Sequence, residues 1–202
     1  MNICIFGGAF DPVHKGHTAI AVSAVKKYNF DKLLFMVSKE PPHKSTHKAS
    51  FFHRYNMVKL AVSNMGDKFD VTDIEEKLHD LSYTFNSLTA LKNIYPNDKL
   101  YFLVGSDIFA SIEKWYNYKK LFDLACFIIG CRPGISFNNM INQVPKDIKE
   151  RIEKKDKIEL FQIDAVNISS SEIRENIKKY IDFLPADVAE YIIKNNLYSK
   201  EV

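Results

Sequence analysis

Two histidines three residues apart, His14 and His17, follow a pair of adjacent glycines in the stretch Ile5-Phe6-Gly7-Gly8-Ala9-Phe10-Asp11-Pro12-Val13-His14-Lys15-Gly16-His17. Side chains at that spacing share one face of a helix. The apolar run Ile3–Phe6 reads as a buried strand, and the glycines read as a turn that lets backbone come close to a ligand. The residues after Pro12 read as the start of an amphipathic helix. Backbone N–H groups and the helix dipole converge on an anion at such a junction. Two imidazoles aimed at the same spot suggest that the anion is a phosphate undergoing chemistry. Helix capping is the plainer reading of the pair. Metal ligation is a third, but His-x-x-His supplies only two ligands.

The second group is Ile168-Ser169-Ser170-Ser171-Glu172-Ile173-Arg174. Ser169 and Glu172 stand at capping-box spacing, which predicts a helix N-terminus. Capping does not account for Arg174, one turn in. Three hydroxyls and a guanidinium at a helix start make a second anion cradle. Neither group is a dinucleotide fingerprint or a P-loop: Gly7 and Gly8 are adjacent with no third glycine in place, and no Gly-Lys-Ser/Thr ending follows. His43, His47, His53 and His79 are scattered without a further pair, and His79-Asp80 has no matching His and Asp set around it.

The elements that must position these groups alternate along the chain. Apolar runs at Ile3–Phe6, Leu33–Val37, Leu100–Val104 and Ala125–Ile129 read as strands buried on both faces. Lys68–Thr72 is a weaker strand, and Ile158–Ile163 a last, alternating one. Helical patterns fall at 16–28, Phe51–Asn64, Tyr83–Ile94, Ser170–Ile181 and Pro185–Asn195, with a short helical patch leading to Trp115. Residues 137–156 are polar and lysine-rich and read as a surface helix with loops. Strand and helix in alternation predict a doubly wound (Rossmann-like) α/β fold, a parallel sheet with helices on both faces. Ligands bind such sheets outside the carboxyl ends of the strands. The glycine turn, Pro41–Lys44, Gly105–Asp107 and Arg132–Gly134 all fall at that edge.

At 202 residues the chain is read as one domain, residues 1–202, including the closing helices 170–181 and 185–195. A formal charge of +3 suits anionic substrates and is too small to argue for nucleic acid. The three cysteines, Cys4, Cys126 and Cys131, form neither a disulfide framework nor a CxxC metal pair, so a reducing, cytoplasmic setting is expected. No signal-peptide pattern and no apolar stretch of membrane-spanning length occurs.

Taken together, Gly-Gly-Ala-Phe-Asp-Pro-Val-His-Lys-Gly-His and Ile-Ser-Ser-Ser-Glu-Ile-Arg resemble the two signatures of the nucleotidyltransferase superfamily. The resemblance is closer to one branch, the bacterial-type nicotinate mononucleotide adenylyltransferases. Pro41-Pro42-His43-Lys44, Ser82-Tyr83-Thr84, Gly105-Ser106-Asp107, Trp115-Tyr116, Arg132-Pro133-Gly134 and Leu197-Tyr198 carry the narrower match, all in family order. Ala9 departs from it, standing where the family usually has a hydroxyl residue, and Ser171 replaces the more usual threonine.

The resemblance implies that ATP lies over Gly7, Gly8, Ala9 and Phe10, with His14 and His17 on its phosphates. It implies that Ser170, Ser171 and Arg174 hold the leaving pyrophosphate. Gly105 and Asp107 would lie near the ribose and Ile168 near the adenine. For the mononucleotide it implies Trp115 stacked on the pyridine ring, backbone N–H groups around Thr84 and Tyr116 on the ring carboxylate, and Lys44 and Arg132 on the phosphate. Mg²⁺ would be carried mainly by the substrate phosphates. The implied reaction joins ATP and nicotinate mononucleotide into nicotinate adenine dinucleotide and pyrophosphate. Nicotinamide mononucleotide as acceptor, dual specificity, phosphopantetheine as acceptor, cytidylyl transfer and a regulator that binds nucleotide without turnover remain the alternatives.

Overall fold

The structure, a computed structural model, describes residues 1–39, 47–78, 82–131, 136–162 and 168–199. Six strands form one sheet: β1 Asn2–Gly8, β2 Lys32–Val37, β3 Phe69–Thr72, β4 Lys99–Gly105, β5 Cys126–Cys131 and β6 Ile158–Gln162. Their order is β3-β2-β1-β4-β5-β6, and every neighbouring pair is parallel. This is the doubly wound arrangement expected from the alternating pattern.

The helices are α1 Lys15–Tyr28, α2 Phe51–Val62, α3 Ile74–Lys77, α4 Thr84–Ile94, α5 Ser106–Phe109, α6 Tyr118–Leu124, α7 Phe137–Gln143, α8 Lys146–Lys154, α9 Ser170–Glu175, α10 Ile177–Tyr180 and α11 Ala186–Lys194, with 3₁₀ turns at Ile112–Lys114 and Ile181–Phe183. Successive strand residues point to opposite faces, so β1 feeds two core layers. Cys4 and Phe6 join Phe35, Met57, Val58, Ile173 and Val188 on one face. Ile3 and Ile5 join Leu34, Leu88, Leu91, Phe122 and Phe127 on the other. Helices α1, α2 and α11 cover the first layer, and α4, α6 and α8 the second. Among the described residues no helix is long and apolar enough to cross a membrane.

Two stretches depart from the sequence reading. The helix expected over Ser170–Ile181 breaks at Asn176, whose non-helical backbone (φ −153°, ψ 82°) and side chain, accepting from Lys179 N at 3.0 Å, start a new helix. Asparagine is among the best N-cap residues. The expected surface helix over 137–156 is two helices separated at Pro145. Met140, Val144 and Ile148, spaced by four, are buried against the second core layer. The apolar stripe is present in the sequence but diluted by lysine.

Candidate active site

β1 pairs with β2 as far as Gly8↔Val37 but with β4 only as far as Phe6↔Leu103. Beyond Phe6 the two central strands part, and the chain runs outward from them in opposite directions. That is the switch point where doubly wound sheets bind ligands. A cavity of about 560 Å³ opens there, lined by Gly7–Asp11, His17, Lys48, Leu103–Gly105, Asp107, Ser169–Ser171 and Arg174, among others. The glycine pair is a matter of space. A Cβ on Gly7 would sit 2.8 Å from the Phe102 ring, and one on Gly8 would sit 2.9 Å from the Phe10 ring.

His17 is half-buried and lines this cavity; His14 does not. His14 is the N-cap of α1, 2% exposed, with its ring stacked on that of His17 at 3.7 Å. Its backbone N–H donates to His17 Nδ1 at 3.3 Å. With Nδ1 accepting, the neutral His17 ring carries its hydrogen on Nε2. The Phe10 ring packs edge-on to His17 at 5.0 Å. Of the two imidazoles expected to share one target, His17 faces the cavity and His14, stacked on it, is buried behind it.

The second motif closes the opposite wall. Ser169 Oγ accepts from Glu172 N while Glu172 Oε2 accepts from Ser169 N, so the capping box forms. Ser170 Oγ donates to Pro12 O at 2.9 Å. Arg174 Nη1 donates to Asp11 O at 2.6 Å, and Nη2 donates to Ser171 Oγ at 3.1 Å. The guanidinium is therefore tied to the β1–α1 turn 163 residues away and held in the cavity wall.

Asp11 was not among the residues singled out from sequence, yet it joins three segments. Its carboxylate, in a residue 4% exposed, accepts from Lys48 N at 2.9 Å, Ala49 N at 3.2 Å and Tyr198 Oη at 2.6 Å. Burial and the Asp11 charge both push the Tyr198 phenol well above its usual range. Arg54 is another such residue, a fully buried guanidinium on α2 behind the turn. Its partners are main-chain oxygens, which no local sequence pattern marks.

A second cavity of about 230 Å³ shares Gly7, Gly8, Ala9, Val104 and Ile108 with the first. Its further walls include Ser38, Glu75, Thr84, Trp115 and Tyr116. Thr84 is the first residue of α4, so the N-terminal end of this helix stands in the cavity wall. Trp115 packs edge-on against Phe102, and Tyr83 and Phe85 pack against Tyr116. Glu75, 3% exposed, accepts from Lys39 N through Oε2 and from Ser87 Oγ through Oε1. That carboxylate fastens α3, the end of β2 and α4 together.

Gly105 and Asp107 line the larger cavity. Ile168 does not line either one; its side chain is 4% exposed in the first core layer. Lys44, Arg132, His43 and the His79-Asp80 pair lie outside the described residues. Among the described residues no group of three or more His, Cys, Asp or Glu stands together as a metal site.

The cytidylyltransferase-like family matches residues 5–176. A Clostridium tetani protein named "Probable nicotinate-nucleotide adenylyltransferase" is 38% identical over 200 residues, covering 96% of this chain and 97% of its own. A protein of the same name from Carboxydothermus hydrogenoformans is 37% identical, covering 98% of each. Among solved structures, the Plasmodium falciparum nicotinic acid mononucleotide adenylyltransferase complexed with NaAD superimposes with a TM-score of 0.76 at 27% identity, over 98% of this chain and 97% of that one. The same enzyme complexed with APC gives 0.73 at 26%, over 98% and 96%.

Proposed function

The chain belongs to the cytidylyltransferase-like family and, within it, to the nicotinate-nucleotide adenylyltransferases. From that footing we propose that it joins ATP and nicotinate mononucleotide into nicotinate adenine dinucleotide, releasing pyrophosphate, in NAD biosynthesis. One observation carries the reading: two cavities of unlike character meet at a shared wall that includes Gly7-Gly8-Ala9. A transfer between two nucleotides needs their phosphates to meet at one point with their other ends apart.

ATP occupies the larger cavity. Its triphosphate lies along the glycine turn, with His17, Ser170, Ser171 and Arg174 around it and the ribose toward Gly105 and Asp107. The mononucleotide occupies the smaller one, its pyridine ring on the flat apolar face of Trp115. Its carboxylate meets the α4 N-terminus at Thr84 and the backbone at Tyr116, a setting that favours an anion. Lys44 and Arg132 serve its phosphate.

The acceptor phosphate is ionised at neutral pH, so no general base is required. One of its oxygens forms a bond to the ATP α-phosphorus while the bond from that phosphorus to the β-phosphate bridging oxygen breaks. The electron pair leaves on pyrophosphate. His17 Nε2–H is a donor to the α-phosphoryl oxygens as charge builds there, and Arg174 and the serines hold the departing pyrophosphate. His14 acts by orienting His17. With no cluster of carboxylates or imidazoles among the described residues to hold a metal, Mg²⁺ would be carried in on the substrate phosphates with its waters, and it would supply neutralisation of phosphate charge.

The test offers the protein ATP and Mg²⁺ with nicotinate mononucleotide, nicotinamide mononucleotide or phosphopantetheine in turn, and in parallel CTP with an acceptor. Pyrophosphate release with the first acceptor, and weaker release with the second, supports the reading. Release only with phosphopantetheine or the CTP pair overturns it.

A further inference from the structure

Arg54 has no part in the chemistry just described, yet it is buried in α2 with 1% of its surface exposed. Its guanidinium donates to four main-chain carbonyls and to no carboxylate among the described residues. Nε donates to Ala49 O at 3.1 Å, Nη1 to Ala9 O at 2.8 Å and Ser38 O at 2.7 Å, and Nη2 to Lys39 O at 3.3 Å. Burial works against its charge, while the Asp11 and Glu75 carboxylates work for it.

The consequence lies in the turn. Gly8 O accepts from Ser38 N at 2.9 Å, and Ala9 O accepts from Arg54, so two successive carbonyls face β2 and α2. A regular strand would alternate them. Across a trans peptide the C=O and N–H point opposite ways. The N–H groups of Ala9 and Phe10 therefore both face the β4 side, where Leu103, Val104 and Gly105 line the larger cavity beside Ala9 and Phe10 themselves. Successive N–H groups on one side, with Phe10 in the left-handed region (φ 49°), form the concave nest that binds anions.

We infer that Arg54 is a positioning residue that turns the Ala9–Phe10 peptide, so that the N–H groups of Ala9 and Phe10 meet the ATP phosphates from the main chain. The inference rests on the ATP seat proposed above. It also accounts for Ala9. A hydroxyl is dispensable at that position when the backbone itself presents the donor.

Arg54→Lys keeps the charge but carries its donors on one atom, which cannot span four carbonyls. Affinity for a non-hydrolysable ATP analogue is read by calorimetry without any acceptor, and the KM of each substrate by kinetics. The expected result is a folded variant with analogue Kd raised about tenfold or more, while the mononucleotide KM moves by less than about threefold. An unchanged Kd, or an equal rise in both constants, overturns the inference, since general loosening would move both. Should Arg54→Lys fail to fold, Arg54→Gln, with two donors, is read in the same way. In the wild type, the Ala9 and Phe10 amide resonances should shift on adding the analogue, and resonances that stay put overturn the inference. A wild type that binds the analogue but does not use nicotinate mononucleotide overturns the proposed acceptor alone. A wild type with no affinity for the analogue sinks the ATP seat and this inference together.

Discussion

Tyr198 donates a 2.6 Å hydrogen bond to Asp11 across 187 residues of sequence. The same Asp11 accepts from Arg174 through its main-chain oxygen, so the C-terminal segment, the glycine turn and the pyrophosphate-side arginine form one connected wall. Tyr198→Phe removes the phenolic donor and almost nothing else. It should lower stability by about 1–3 kcal/mol, the cost of leaving a buried carboxylate short of a partner, and it should raise the KM for ATP more than that for the mononucleotide. Thermal unfolding and two-substrate kinetics read both. Wild-type stability in the variant would mean that the contact is incidental.

His17 is the imidazole on the cavity. His17→Ala should cut kcat at least tenfold, about 1.4 kcal/mol of barrier, with the circular dichroism spectrum unchanged. Undiminished turnover would reduce His17 to a partner in the α1 cap.

Arg174 is held by Asp11 and Ser171 in a fork that an ammonium does not reproduce. Arg174→Lys should therefore lose about tenfold or more in kcat/KM for ATP, despite keeping its charge. Full activity in the lysine variant would show that charge alone suffices there.

Trp115 is the only tryptophan in the chain, so its fluorescence reports the smaller cavity. Nicotinate mononucleotide should quench it and ATP alone should not. Trp115→Ala should raise the mononucleotide KM about tenfold with little change for ATP. Quenching by ATP alone would exchange the two seats.

Stability should fall in alkali. Burial pushes the Cys4 thiol up, and burial with the Glu159 charge raises the Tyr28 phenol to about 12. Tyr198 is raised as well. In the unfolded chain the thiol ionises near about 8.5 and the phenols near about 10. Above those values the unfolded state has released protons that the folded state retains. The contribution of each group is therefore whole below its unfolded pKa and declines by about 1.4 kcal/mol per pH unit above it, until the folded pKa is reached. Denaturant titrations should show the first decline from about pH 8.5, and Cys4→Ala should lack it. A flat profile through that range would contradict the burial of Cys4.

The parts that the sequence made legible are those written locally. Ile3–Phe6, Leu33–Val37 and Leu100–Val104 are apolar without interruption, which only strands covered on both faces require. Ser169 and Glu172 carry their capping box in their spacing. What stayed hidden depends on partners distant along the chain. Nothing near Arg54 announces the carbonyls of Ala9, Ser38 and Lys39, and nothing near Glu75 announces Lys39 N. Asp11 sits inside the most informative stretch of the chain, but its partner Tyr198 is almost at the other end. Asn176 reads as an ordinary helical residue until its side chain is seen capping Lys179. The resemblance places Ile168 near the adenine, and no local pattern shows that its side chain packs into the first core layer.

The account stands on direct transfer between two nucleotides that meet at Gly7-Gly8-Ala9. The measurement closest to that claim is the stereochemical course at the transferring phosphorus. ATP carrying a chiral α-thiophosphate is turned over with nicotinate mononucleotide, and the configuration of the dinucleotide product is determined. A single in-line displacement predicts inversion. Retention would mean two displacements and a covalent adenylyl-enzyme, which the shared wall of the two cavities would not explain.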